Sequence, residues 1–254
     1  MYAEKFRLDN KVAIITGASG GIGKQIAVGF AEMGARVVIA SRRQNSLDQV
    51  ADEIRAQGGE AFPFACHIGK LDQISSLFEK VMEQYGRVDI LVNNAATNPY
   101  FGPVLQADSS AWEKTVDVNL RGYFFMSQAA ARIMVAQGGG VIVNIASIAG
   151  FQGAPMQGIY AITKAGVINM TKTFAKELVS SNVRCNAVCP GLTETKFSSM
   201  LISTPEIYEY ALQHIPMKRH AQPSEIVGAA LYLASDASSF VTGATINVDG
   251  GMAM

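Results

Sequence analysis

Tyr160 and Lys164 stand four residues apart in Tyr160-Ala161-Ile162-Thr163-Lys164, inside a stretch of helical period, so both side chains leave one face of a predicted helix. In a chain with 8 tyrosines that spacing is unimpressive by itself; its chemistry is what matters. An ammonium about 4 Å from a phenol contributes about 4 kcal/mol at an effective dielectric near 20. That is worth about 3 pKa units, enough to bring a phenol from about 10 toward neutrality. Such a phenol gives or takes a proton near physiological pH. A second reactive stretch is Thr16-Gly17-Ala18-Ser19-Gly20-Gly21-Ile22-Gly23, between a β-branched run and a helical one. Its glycines permit a sharp turn and bring backbone N–H groups against a pyrophosphate at the positive end of a helix. Gly17, Ser19, Gly20, Gly21, Ile22 and Gly23 are therefore a candidate dinucleotide loop, with a plain structural turn as the alternative. Because Gly20 and Gly21 are both glycine, the loop fits Gly-x-x-x-Gly-x-Gly and Gly-x-x-Gly-x-x-Gly equally.

The cofactor is read at Ala40-Ser41-Arg42-Arg43, which closes the second predicted strand. A fold that prefers NAD(H) places Asp or Glu about 20 residues after the first glycine, to hold the ribose 2′-hydroxyl. Here no acid follows until Asp48. Ser41, Arg42 and Arg43 suit a 2′-phosphate instead, so NADP(H) is expected over NAD(H); the alternative is a solvated basic turn. Cys185 and Cys189 lack companions at zinc spacing, and His67, His214 and His220 show no ligand spacing, so no metal is expected. With Cys66 they read as buried thiols in a reducing compartment. Trp112, opening a predicted helix, reads as packing.

These residues need a scaffold, and the pattern supplies one. Strands are predicted at 11–16, 36–40, 61–65, 88–92, 141–146, 183–188 and 244–248, with helices between them, among them 22–33, 47–57 and 159–179. Apolar runs without alternation mark strands covered on both faces. The expected fold is α/β: a single doubly wound, Rossmann-type domain over 1–254, with a seven-stranded parallel sheet and helices on both faces. The irregular stretch from Pro190 to about Pro223 reads as a lid, about 192–220, over a site.

Composition narrows the partners. The chain has 254 residues, 21 basic against 21 acidic, so its formal net charge is zero. That excludes nucleic acid as a main partner and gives no polybasic signal for a membrane. With 49% hydrophobic and 17% charged residues the chain can bury a large core. No apolar run approaches the roughly 18–20 residues that span a bilayer, and a cytoplasmic protein is expected.

Taken in order, several motifs resemble the short-chain dehydrogenases/reductases of about 250 residues. They are Thr16 to Gly23, Asn93-Asn94-Ala95-Ala96, Asn119, Ser147, Tyr160-x-x-x-Lys164, Pro190-Gly191 and Asn247-Val248-Asp249-Gly250-Gly251. Ser147 precedes Tyr160 by 13 residues, the spacing of that family, and Asn93-Asn94-Ala95 removes the ambiguity left by the glycines. Residues 66–70 and 94–102 look most like the NADPH-dependent carbonyl/retinal reductase branch. The resemblance implies that Tyr160 is the general acid or base, that Ser147 hydrogen-bonds the substrate oxygen, and that Lys164 holds the nicotinamide ribose and lowers the phenol pKa. It implies that Asn119 anchors a water linking Lys164 to solvent and that Asn94 and Ala95 line the cofactor cleft. Pro190, Gly191, Thr193 and Thr195 would meet the carboxamide. Two departures stand out: His67 replaces the family's adenine-contacting Asp, leaving that contact to backbone at or beside Ile68, and Ala96 replaces a glycine.

Tyr100, Phe101, Phe151, Met156, Phe197, Met200, Leu201 and Tyr208 flank the predicted site with few fixed charges. They point to an apolar or aromatic small-molecule ketone, aldehyde or dicarbonyl, interconverted with its alcohol. A 3-oxoacyl-carrier-protein reductase is the enzymatic rival, with Arg132, Lys172 and Lys176 as candidate carrier contacts. A catalytically silent nucleotide-sensing protein is the rival of another class. The resemblance further implies a homotetramer that pairs helices around 110–136 and 159–179.

Overall fold

A computed structural model describes residues 2–253. Seven strands form one sheet: β1 (Val12–Thr16), β2 (Arg36–Ser41), β3 (Glu60–Ala65), β4 (Ile90–Asn93), β5 (Gly140–Ile145), β6 (Val183–Pro190) and β7 (Thr245–Val248). Their order is β3-β2-β1-β4-β5-β6-β7 and every neighbouring pair is parallel. This is the expected doubly wound Rossmann arrangement. Successive side chains of a strand point to opposite faces, so Val12 and Ile14 join one core while Ala13 and Ile15 join the other.

Helices α1 (Gly21–Glu32), α2 (Gln44–Ala56), α3 (Leu71–Tyr85), α4 (Ser109–Val116), α5 (Tyr123–Ala136) and α6 (Gly158–Leu178) follow the first five strands. α1 and α2 cover one face through Ile26, Phe30, Leu47 and Ile54. α3, α5 and α6 cover the other through Leu77, Met126, Met134 and Val167. Each such buried side chain stabilises the fold by roughly 1.5–3 kcal/mol.

Three local features depart from the sequence expectation. α2 begins three residues early, because the Gln44 side chain accepts from Ala65 N–H (2.9 Å) and donates to Asp48 (2.8 Å), a polar anchor invisible to apolar periodicity. The helix around 110–136 is interrupted by a π turn, Asp117–Gly122, which rotates Asn119 and Gly122 inward to full burial. The stretch predicted irregular between Pro190 and Pro223 contains α7 (Ser199–Ser203) and α8 (Pro205–His214). Pro205 presets the first turn of α8, whose half-buried face is Ile207, Tyr208, Ala211 and Leu212, although neither helix buries a residue fully. A last helix, α9 (Val227–Ala234), packs beside α1. Among the described residues no helix is long and apolar enough to cross a membrane.

Candidate active site

The motifs meet along the carboxyl ends of the strands, around the switch point where β1 separates β2 from β4. At the first turn Gly17 has φ +69°, and a Cβ there would lie 2.7 Å from Asn94 Nδ2 and 2.8 Å from Ala95 Cα. Only glycine fits. The Asn94 amide donates to Thr16 O (2.8 Å) and Gly17 O (3.4 Å), and Thr16 Oγ1 accepts from Asn94 N–H (2.9 Å) and Ala95 N–H (3.1 Å). Asn94 thus braces the loop from behind through its side chain. No side chain caps α1, so its first amides are left for a ligand at the positive end of the helix. Ser19 and Gly20 are exposed beside Gly21 and Ile22, and Gly23 is buried behind them. Across the groove, Thr195 Cγ2 lies 3.1 Å from where a Cβ of Gly21 would stand.

At the end of β2 the Ser41 hydroxyl is buried with no hydrogen-bond partner among the described residues. A buried hydroxyl without a partner is uncommon and marks a place for a ligand atom. Arg42 and Arg43 are exposed next to it. His67 joins them: burial first, then the Arg42 charge, hold its imidazole below the usual pKa. Its Nδ1 accepts from Gly69 N–H at 3.0 Å, leaving the neutral ring an N–H donor at Nε2. The Ile68 side chain is buried in the core, so Ile68 offers the cleft backbone only. The uncapped helix, the orphaned hydroxyl and the two guanidiniums fit a dinucleotide's phosphates.

Ser147 follows β5. Its Oγ accepts from Ala149 N–H at 3.2 Å, leaving the hydroxyl proton to donate elsewhere. Tyr160 and Lys164 are buried on the first turns of α6. The Lys164 ammonium donates to Ile145 O at 2.7 Å and lies 5.6 Å from the Tyr160 ring centre. Burial raises the Tyr160 phenol to about 12, with the Ser147 hydroxyl acting in the lowering direction. Burial also lowers the Lys164 ammonium to about 7. The expected pull of the phenol toward neutrality is therefore reversed in the chain alone. Desolvation acts on both groups at once, raising the phenol and lowering the ammonium.

Asn119 is hydrogen-bonded through both atoms of its amide. Its Oδ1 accepts from Thr97 N–H (2.8 Å), while Nδ2 donates to Thr97 O (2.9 Å) and Thr163 Oγ1 (3.2 Å). The side chain clamps the segment after β4 onto the π turn and α6.

Pro190 ends β6, and beyond Gly191 the chain turns back over the cleft. Thr193 Oγ1 donates to Gly191 O at 3.2 Å, and Thr195 Oγ1 shares a 3.1 Å hydrogen bond with Ser198 Oγ. Ser198, which sequence reasoning passed over, is the hub of this turn, since its hydroxyl also accepts from Thr195 N–H (3.0 Å). Phe197 then lies against the Tyr160 ring, 5.4 Å between centres. Tyr208 is engaged by a neighbouring histidine. Its hydroxyl meets His220 Nδ1 at 2.8 Å, and His220 Nε2 meets Glu194 at 3.2 Å, fastening α8 to the neighbouring strand-like segment. Trp112, expected to pack, is half-exposed above a hollow of about 320 Å³ lined by Val104, Ile159 and Ile162. The three cysteines are free and buried. Among the described residues no group of three or more His, Cys, Asp or Glu could hold a metal.

Similarity to known proteins extends over nearly the whole chain. A family model described as enoyl-(acyl carrier protein) reductase matches residues 17–253. The 3-oxoacyl-[acyl-carrier-protein] reductase FabG of Thermotoga maritima is 42% identical over 247 residues, covering 97% of this chain and 99% of that protein. A gluconate 5-dehydrogenase from Burkholderia cenocepacia, solved with NADP and tartrate, superposes with a TM-score of 0.95 at 34% identity, over 99% and 98% of the two chains. A 7α-hydroxysteroid dehydrogenase solved with NADH and 7-oxo glycochenodeoxycholic acid superposes with a TM-score of 0.94 at 38% identity, over 98% and 96%.

Proposed function

Because the chain belongs to the short-chain dehydrogenase/reductase family, we propose that it is an NADP(H)-dependent oxidoreductase that interconverts a carbonyl and an alcohol on an apolar or aromatic small molecule. The observation that carries this reading is the convergence of Ser147, the buried Tyr160 phenol and the Lys164 ammonium beside the glycine loop. When bound, the nicotinamide supplies or accepts the hydride. Gly17, Ser19, Gly20, Gly21, Ile22 and Gly23 hold its pyrophosphate on the uncapped end of α1. Ser41, Arg42 and Arg43 hold the 2′-phosphate, His67 and the backbone at Ile68 face the adenine, and Pro190, Gly191, Thr193 and Thr195 close over the carboxamide. Ala95 and Asn94 keep the loop in shape. Relatives of this fold hold NADP or NADH, so the preference rests on this chain's own Ser41–Arg43 edge, where no carboxylate stands.

On the substrate side, Ser147 donates to the carbonyl oxygen and stabilises its developing charge. Tyr160 gives that oxygen a proton in reduction and takes it back in oxidation. With its pKa raised by burial to about 12, the phenol is fully protonated at neutral pH, the state that reduction requires. Lys164 holds the ribose hydroxyls, and Asn119 keeps the π turn against α6. The segment 192–220 acts as a lid. Phe197 on Tyr160, with the exposed Phe151, Met156 and Met200, supports an apolar substrate.

The test is turnover of an aryl diketone and of a small polar keto acid, each with NADPH and NADH. The aryl diketone with NADPH should be fastest, and Tyr160→Phe should lose about 10²–10⁴-fold in rate. Faster turnover of the acid, or with NADH, overturns the corresponding half of the reading. A second reading is favoured by the FabG relative: reduction of a 3-oxoacyl thioester on a carrier protein. Arg132, Lys172 and Lys176 are exposed and form no ion pair among the described residues. A large rate advantage for the carrier-bound thioester over the same acyl group on a small thiol selects it. Inactivity on every carbonyl tried would restore the nucleotide-sensing alternative.

A further inference from the structure

We infer that Tyr123, on α5, is a positioning residue that fixes the Lys164 ammonium in place and holds it in the charged form, through its phenol oxygen and the face of its ring. The inference rests on the proposed function for its kinetic consequence and on geometry for everything else. Lys164 is 1% exposed, and no carboxylate pairs with it among the described residues. A buried charge without a counter-ion persists only if neutral groups solvate it. The groups that face it are few. From β5 the Ile145 carbonyl accepts a hydrogen bond at 2.7 Å. From α5 the Tyr123 oxygen accepts one at 3.4 Å. Its ring centre lies 5.0 Å from Nζ, closer than the 5.6 Å of Tyr160 on α6. From β6 the Cys189 thiol also acts on Lys164, but burial lifts that thiol to about 11, so it stays neutral.

Tyr123 suits this role in three respects. It is fully buried, and burial lifts its phenol well above the ordinary value, so it stays neutral at physiological pH. Its own proton is committed to Ile145 O at 3.2 Å, which turns an oxygen lone pair toward Lys164. Its ring face attracts the cation and not the amine. An ammonium has three donors. Ile145 O and Tyr123 O take two, and their positions fix the direction of the third, the one left for the ribose. Both contacts favour the protonated lysine and oppose the desolvation that lowers it.

The test uses the full chain labelled with lysine carrying ¹³C at Cε, whose NMR shift follows ionisation. The Lys164 resonance is identified by its absence in Lys164→Met. Tyr123→Phe keeps the ring and removes the oxygen. Its Lys164 midpoint should fall by about one pKa unit, the size of a hydrogen bond to a charged group. Tyr123→Leu, which also removes the ring, should lower it further. Circular dichroism and urea unfolding check that each variant is folded. In turnover, the alkaline limb of kcat/KM should move to lower pH in Tyr123→Phe, which a merely structural role would not produce. A folded Tyr123→Phe with an unmoved Lys164 titration overturns the inference. A wild-type chain that reduces no carbonyl overturns the proposed function instead and leaves the NMR result to decide this one.

Discussion

At Lys164 and Tyr160 one physical cause acts on two neighbours with opposite consequences. Desolvation penalises the charged form of each, so it lowers an ammonium and raises a phenol. For the lysine this is also a statement about stability. Its folded pKa of about 7 lies below the ordinary lysine value of about 10.4. Between those values the unfolded chain binds a proton that the folded chain does not, so Lys164 contributes stability that rises with pH across that window. Below about 7 both states carry the proton and the full desolvation cost remains. Lys164→Met removes that cost, and the Ile145 carbonyl still has the Tyr123 hydroxyl as donor. Urea unfolding should show the variant more stable than wild type at pH 6, by about 1–3 kcal/mol, with the gap closing toward pH 10. A gap independent of pH would mean that Lys164 titrates as an ordinary lysine.

At the scale of elements, the loop between β1 and α1 separates what the fold needs from what a ligand needs. Gly17 serves the fold: its φ of +69° and its contact with Asn94 leave no room for a Cβ. Gly20 has φ 171°, extended backbone open to any residue, and a Cβ there meets nothing within 4 Å. Gly17→Ala should lower unfolding stability by about 1–3 kcal/mol. Gly20→Ala should leave stability within about 0.5 kcal/mol of wild type, yet weaken NADPH binding measured by fluorescence titration, because its methyl group enters the open cleft. Equal binding by Gly20→Ala and wild type would remove the pyrophosphate from this loop. The same elements show what was legible in the sequence. α6 carries nine buried residues along its length, so its apolar period was readable and placed Tyr160 and Lys164 on one face. The π turn at Asp117–Gly122 has no period of its own, and α7 and α8 bury no residue fully. A π turn gives apolar periodicity nothing to read, and two short helices without a fully buried position give it little.

At the scale of the whole molecule, a chain of zero net charge concentrates a basic edge where the phosphates would lie. It also leaves apolar side chains uncovered elsewhere. Trp112 on α4, Phe124 on α5 and Ile162 on α6 are each half-exposed, and Phe124 stacks edge-on against Phe125 and Phe174. These helices are the surface on which a homotetramer of the kind the family resemblance implies would pair its subunits. Sedimentation velocity should find a tetramer at micromolar concentration, and Trp112→Glu should shift it to smaller species without unfolding the chain. A monomeric wild type would overturn the assembly.

The sequence by itself determined which groups could react and roughly where. The order of glycine loop, Asn-Asn-Ala, Ser147 and Tyr160-x-x-x-Lys164 carried the parallel α/β fold and the reaction class, because backbone turns, helical phase and side-chain chemistry are local properties. Tertiary structure decided what those groups are free to do. Asn94 and Asn119 kept their places in the motif, but their amides are taken by Thr16, Gly17, Thr97 and Thr163. Tyr123, which carries no motif, meets Lys164 from 41 positions away. The opposite pKa shifts of Tyr160 and Lys164 were likewise out of reach. A pKa depends on the solvent and partners that surround a group, and those are assembled by strands and helices distant in sequence.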